Sequence, residues 1–545
     1  MKRINPYLLI FFIAAIMFTH SLGNVSLFDW DEINFAESAR EMIETGNYMR
    51  VQINYEPFWE KPPLFFWMQV TSMKLFGVNE WAARLPNALC GIATLLVLFA
   101  IGKRLHNERF AYWWVLLYAG TFLPHLYFKS GIIDPWFNLF IFLGIYFLSR
   151  YLQPLVSTDK QEKKHLYFSA LFTGLSVLTK GPVGLLVVVL TYVLFFFLAK
   201  RRLRLTFADI IKWGIGVVLV AMIWFGLEIL QHGWWFVEEF VRYQIRLAKT
   251  KDAGHGGFFL YHFVVLLIGC FPASWLIFKP KTSIEKNDSY PVFRMMMISS
   301  LIVILVVFTL VRTKIVHYSS FAYLPIGYLA AQTMDGLMAG RFRMHGWQRW
   351  ALLLTGIVWA LLFIALPLLG NHIDWLKPLL KNDAFALANL EADVEWKKIF
   401  ILPGLLFAFS VIESFILFKQ HRYQQALALL LISCVLSMQV LLTVFVPRIE
   451  KYSQHAAIEF YESLEGKDVY VRSLGYKSYA PYFYSRVKPG QRPESKDMEW
   501  LLCGPVDKPT YFVSKITRKE KILEEHGERL IVLYEKNGFV FYQRK

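Results

Sequence analysis

Residues 1–42 read MKRINPYLLIFFIAAIMFTHSLGNVSLFDWDEINFAESAREM. An apolar run over residues 7–23 passes directly into a segment carrying Asp29, Asp31, Glu32, Glu37 and Glu41. The run is long enough to cross about 30 Å of hydrocarbon as a helix. In the segment that follows, Asp29-x-x-Glu32 matches a capping box and predicts a helix from Trp30 through Met42. Lys2 and Arg3 precede the run and no small-residue cleavage site follows it. It therefore reads as a first anchor with its N-terminus inside, rather than as a signal peptide.

Working outward, similar runs recur over 81–102, 110–129, 132–150, 166–181, 183–199, 209–229, 258–277, 293–311, 318–335, 350–369, 399–418 and 424–446. With the first, these make about thirteen candidate transmembrane helices. With the N-terminus inside, the inner loops contain KRLHNER, QEKKH, KRRLR, KPKTSIEK, GRFRMHGWQR and KQHR. Each is rich in Lys or Arg, as cytoplasmic loops are. The chain thus reads as an α-helical polytopic membrane protein over residues 1–446, with a long outer loop at 24–80. Within that loop PPLFFWMQVTSMKLFG is too short and too interrupted to span. It reads as a helix lying at the interface, with Trp67 and Lys74 near the headgroups.

Composition agrees. The chain has 545 residues, 56% hydrophobic and only 18% charged, with a formal charge of +17. Much of the positive charge lies in the inner loops, so it reads as a topology signal, and no nucleic-acid-binding motif accompanies it. Cys90, Cys270 and Cys434 lie in apolar runs and Cys503 stands alone in the tail. That pattern suits neither a disulfide framework nor a CxxC metal or redox site. Residues 447–545 change character: DVYVRSL, PTYFVSK, LIVLYEK and GFVFYQ read as strands and EKILEEHGERL as a helix. They predict a small C-terminal α/β domain on the outer face.

Several residues on that face are candidates for chemistry. Asp31 and Glu32 open the acidic helix, or merely cap it. Glu60 and Lys61 stand before two prolines in YEPFWEKPPLFFW; such a lysine either snorkels or holds a phosphate as a point charge. Asp134, in KSGIIDPWFNLF, is a carboxylate at the hydrocarbon edge, either functional or a cap for the helix that Pro135 begins. Lys180 (LTKGPVG), Lys314 and Tyr318 (RTKIVHYSS), and Arg242, Arg246, Lys249 and His255 share the outer side. Outer loops are ordinarily poor in Lys and Arg. Their presence points to an anionic ligand, such as a lipid phosphate, or to scattered solvated charge.

These motifs, in this order, resemble the polyprenyl-phosphate-sugar-dependent glycosyltransferases of the GT-C fold. Among them the chain looks most like the bacterial aminoarabinose transferases that modify lipid A, and more distantly like the protein O-mannosyltransferases. The resemblance implies a GT-C architecture in the bacterial inner membrane with its active site and tail on the periplasmic side. It implies a polyprenyl-phosphate (undecaprenyl-phosphate) sugar donor and a glycolipid, polysaccharide or protein acceptor. It also implies roles: Asp31 and Asp134 at the reaction centre, Lys61 and Tyr318 on the donor phosphate, and Glu60 with His255 as ligands of a divalent metal such as zinc. Asn34 and Phe35 stand where the family commonly has arginine and tyrosine. No nucleotide cofactor is expected, since no nucleotide-binding fingerprint occurs.

Two other function classes remain in view. A lipid or glycolipid transporter would show internal pseudo-symmetry and mid-membrane charges; the spans here are nearly free of central charge. An assembly scaffold would not need paired acids and a lysine beside an interfacial helix.

Overall fold

The computed structural model describes residues 5–153, 162–200, 205–249, 256–278 and 291–545. Each of the apolar runs is helical. Among the described residues, six helices are long and apolar enough to cross a membrane: Glu80–Leu105, Phe207–His232, Pro291–Leu310, Gly346–Asn371, Lys398–Lys419 and Tyr423–Glu450. The shorter Pro6–Thr19 and Val183–Leu198 are apolar as well. Two runs are broken. Residues 110–129 divide into Glu108–Ala119 and Phe122–Tyr127, and 258–277 into Tyr261–Gly269 and Ala273–Leu276, the second ahead of Pro272. Proline cannot continue an i→i−4 ladder, so a break beside it is expected. Along Phe207–His232, Ile211, Ile215, Leu219, Ile223 and Leu230 face outward, as do Leu354, Leu361 and Leu362 of Gly346–Asn371. So large an exposed apolar surface belongs against hydrocarbon. The chain is a multi-pass membrane protein.

A second hydrophobic core lies at one end of the bundle. It joins Ile33, Phe35, Phe65 and Phe66 of the first loop to Phe460, Tyr461, Phe483 and Phe541 of the tail. The four strands expected in the tail are present as Tyr470–Ser473, Thr510–Lys515, Leu530–Lys536 and Phe539–Arg544. The first two pair in parallel; the last two add antiparallel, with Phe539–Arg544 between its neighbours. The tail is therefore packed on the first loop through shared aromatic residues.

The start of that loop departs from the expected capping box. The helix is Asp31–Thr45, and Trp30 before it makes no side-chain cap. Asp29 turns instead to the tail, accepting from the Ser478 hydroxyl and from the Tyr479 N–H at 3.2 Å. Glu32 turns inward, its Oε2 2.7 Å from Arg84 Nη2 and its Oε1 3.0 Å from Arg84 Nε, and it also accepts from the Phe28 N–H at 3.0 Å. Burial alone would raise the Glu32 carboxyl, but the Arg84 charge and these hydrogen bonds outweigh it and hold it below the usual range. Arg84 also donates to the carbonyls of Leu22, Val25 and Ser26, tying the end of the first span to the start of the second. Removing one partner of such a pair strands a buried charge. Arg84→Ala is expected to destabilise the protein by about 3–5 kcal/mol. The double variant Arg84→Met/Glu32→Leu is expected to lose less, as measured by denaturant unfolding of the purified protein.

Candidate functional site

The helices Asp134–Leu152 and Lys164–Lys180 pack as an antiparallel pair, the most extensive helix–helix contact among the described residues. The N-terminus of one thus meets the C-terminus of the other. Asp134 begins the first and Lys180 ends the second, and their Oδ1 and Nζ atoms lie 2.6 Å apart. Each charge complements its own helix dipole. Asp134 is thus an ion-pair partner, and the side-chain cap that its position before Pro135 predicts is absent.

The Lys180 ammonium lies 5.7 Å from the ring centroids of both Phe137 and Tyr318. Tyr318 sits in the 3-10 turn Val316–Ala322, which leads into the helix Tyr323–Met338. One residue before it, His317 places Nε2 3.6 Å from Asp31 Oδ2. At that separation the contact is electrostatic rather than a hydrogen bond. The Asp31 side chain keeps 40% of its surface exposed, whereas Glu32 beside it is buried. Successive helical residues point about a quarter-turn apart, so the acidic pair divides: Glu32 serves the core and Asp31 the open face.

Lys61 enters from the first loop. Pro62 and Pro63 lead into the helix Leu64–Phe76 and fix the direction of approach. Its ammonium is 5.2 Å from the Tyr243 ring centroid, and the Tyr243 hydroxyl donates to Glu60 Oε2 at 3.0 Å. Burial lowers the pKa of Lys61 below the ordinary 10.5, while Glu60, Asp31 and Asp134 raise it and Lys180 lowers it further. Lys61 therefore faces the same charges that Asp31 and Lys180 face. Asp31, Glu60, Lys61, Asp134, Lys180, His317 and Tyr318 form one cluster, drawn from segments far apart in the chain. A lysine with a lowered pKa loses its charge as pH rises through that value. Binding of an anion at Lys61 is expected to fall at a lower pH than an ordinary lysine would give. In Lys61→Arg the fall should move to higher pH, read from the pH dependence of phosphate-lipid affinity.

Two expected members stand apart. Lys314 donates to the Phe308 and Thr309 carbonyls at 2.8 and 2.7 Å, closing the C-terminus of Pro291–Leu310 instead of facing a ligand. Glu32 belongs to the Arg84 pair. Arg246 lies at the rim on the helix Trp235–Lys249, its guanidinium 5.1 Å from the Tyr243 ring. His255 lies outside the described residues. Among those described, no group of three His, Cys, Asp or Glu is arranged to hold a metal, and Glu60 is the one expected ligand on view. His317 and Tyr243 were not singled out by sequence reasoning. His317 stands inside the quoted RTKIVHYSS, between Lys314 and Tyr318, which carry the motif there; Tyr243 lies three residues before Arg246.

Three comparisons show what the chain is similar to in sequence and fold. The family model of dolichyl-phosphate-mannose-protein mannosyltransferases matches residues 60–226. Undecaprenyl phosphate-alpha-4-amino-4-deoxy-L-arabinose arabinosyl transferase of Shewanella sediminis is 27% identical over 338 residues, 61% of this chain and 60% of that protein. Its counterpart in Photorhabdus laumondii is 22% identical over 403 residues, 71% of this chain and 70% of that one. The match thus spans less than two thirds of the Shewanella relative's length. The crystal structure of ArnT from Cupriavidus metallidurans bound to undecaprenyl phosphate superposes with a TM-score of 0.76 and 17% identity, covering 98% of this chain and 97% of that one. The fold is that of ArnT, the GT-C type implied by the motifs.

Proposed function

We propose that the protein is a membrane glycosyltransferase that moves a sugar from a polyprenyl-phosphate donor to a lipid A-type glycolipid. The observation that carries this is the convergence of Asp31, Lys61, the Asp134–Lys180 pair and Tyr318 at one end of the bundle, beside the helix Leu64–Phe76. Paired lysines among acids at a membrane edge suit a ligand that is part lipid and part phosphate. The likeness in sequence to aminoarabinose transferases supports the donor and the class of acceptor.

In the proposed reaction the donor's polyprenyl tail lies along the lipid-facing side and its phosphate rests against Lys61 and Tyr318. An acceptor oxygen attacks the anomeric carbon. The bond from that carbon to the phosphate oxygen breaks, and polyprenyl phosphate departs with the electron pair. Lys61 meets the charge that builds on the leaving phosphate, in a site partly shielded from water. Where the acceptor is a hydroxyl, Asp31 takes its proton, with His317 close enough to hold the carboxylate in place. Where the acceptor is already an ionised phosphate, Asp31 orients it. A single displacement inverts the anomeric centre. Asp134 holds Lys180 in position and so shapes the charge that the donor phosphate meets.

In this reading the cluster and the tail face the periplasm across the bacterial inner membrane, as the basic inner loops require. A divalent metal at Glu60, with His255 as its partner, remains part of the proposal, and no step above runs through it. The test is incubation of the purified protein with radiolabelled polyprenyl-phosphate sugar and a membrane extract. Label recovered on a glycolipid, with polyprenyl phosphate released in equal amount, is the expected result. Label on protein would favour O-glycosylation. Intact donor carried across a vesicle membrane would overturn the transferase in favour of a transporter.

A further inference from the structure

One loop of the tail lies against the residues that lead into Asp31. After the strand Tyr470–Ser473, Gly475 turns the chain with φ +77°, a conformation that suits glycine. Tyr476 then points inward, its hydroxyl 3.3 Å from that of Tyr461. Ser478 and the Tyr479 N–H bind the carboxylate of Asp29. Lys477, between these anchored residues, is left pointing outward and is exposed. Its ammonium lies 4.8 Å from the ring of Trp30 and 5.1 Å from that of Tyr479. The two rings meet edge to face at 5.9 Å, and Trp30 keeps 39% of its surface exposed. Trp30 immediately precedes Asp31. The carboxylates of Glu60, Asp29 and Asp31 are near enough to Tyr479 to add to the effect of burial in raising its phenol.

We propose that Lys477, framed by Trp30 and Tyr479, is the acceptor-side anion site: it binds a phosphate on the incoming glycolipid and sets the acceptor's nucleophile against Asp31. This rests on the transferase reading and adds a residue and a specificity to it. Lys61 and Lys180 share the charges of Asp31 and Asp134, where the donor phosphate is placed. Lys477 approaches from the tail, so the two anions have separate partners. Asp29, held by Ser478 and the Tyr479 N–H, feels the Lys477 charge, but among the described residues no ion pair within 4 Å joins the two, so the ammonium stays open to an incoming anion. Aromatic faces beside a cation suit a sugar phosphate: the rings cover the sugar's C–H face while the ammonium meets the charge. The clamp on Asp29 also fixes the loop, so little ordering is needed when the acceptor arrives.

The test uses the full-length protein in phosphatidylcholine nanodiscs. The probes are a phosphorylated glucosamine disaccharide lipid, its dephosphorylated form, and phosphatidylglycerol. The native protein is expected to bind the phosphorylated form more tightly than the dephosphorylated one. Lys477→Ala should weaken that binding about tenfold, the effect of one charge-assisted contact. Lys477→Arg should restore it, and the dephosphorylated lipid should be insensitive to either change. In turnover, Lys477→Ala should raise the acceptor KM by the same factor without moving the donor KM. Equal binding of the phosphorylated lipid by the native protein and Lys477→Ala overturns the proposal. So does binding of phosphatidylglycerol with the same dependence on Lys477, since the site would then read any anionic lipid. If the native protein transfers no sugar, the transferase reading falls, and the binding measurements still decide whether Lys477 is an anion site.

Discussion

Asp31→Asn is expected to slow sugar transfer to a hydroxyl acceptor by about 10²–10⁴-fold, the range in which a positioned general base contributes. Asparagine keeps the size of the side chain and leaves the start of the Asp31–Thr45 helix otherwise unchanged. It removes the negative charge that His317 faces at 3.6 Å and the oxygen that would accept a proton. Asp31 makes none of the buried contacts that bind Glu32 to Arg84, so folding should survive. Donor binding, measured with a labelled polyprenyl phosphate, should change little, and the loss should appear in the chemical step. Full activity in a folded Asp31→Asn variant would remove Asp31 from the reaction. A smaller loss with an ionised phosphate acceptor than with a hydroxyl acceptor would mark its role there as orienting.

Lys61→Ala is expected to lower transfer by about 10²–10³-fold, comparable to the loss of one preorganised group facing developing charge. Unlike Asp31→Asn, this change should weaken donor binding as well, because the phosphate carries charge before and after the bond breaks. Lys61→Arg should recover part of both. A guanidinium keeps the charge but spreads it over a planar fork, so it does not reproduce a compact ammonium between Glu60 and Tyr243. Single-turnover measurements at saturating donor separate the two contributions. If Lys61→Ala binds and turns over donor normally, the phosphate must rest elsewhere, with Lys180 the nearest alternative cation in the cluster.

The motifs that were legible in the sequence were those with a local physical cause. The apolar runs had to be helices, since a lone segment in hydrocarbon can satisfy its backbone only in that form. The two prolines after Lys61 announced a helix start, and the segment Leu64–Phe76 follows them. The strands of the tail were visible as short β-branched and aromatic runs, and all four are present. The fate of each acid was not legible. Asp29, Asp31 and Glu32 are near neighbours of the same character. One binds the tail, one faces the open site, and one is buried against Arg84, which lies 52 residues further along the chain.

The sequence by itself determined that this chain lies in a membrane as a helical bundle with an acidic first loop, short basic loops between apolar runs and a small α/β tail. Hydrophobic run length, loop charge and β-type alternation are properties of contiguous residues, so they are readable without a fold. Only the tertiary structure decided which charges meet: Asp134 with Lys180, Asp31 with His317, and Lys477 over Trp30. It also removed Lys314 from the site by turning its ammonium onto carbonyls of its own helix end. Coulomb interactions and hydrogen bonds depend on separations of a few ångströms. Those separations are set by how the helices and the tail pack, and no stretch of the chain contains them.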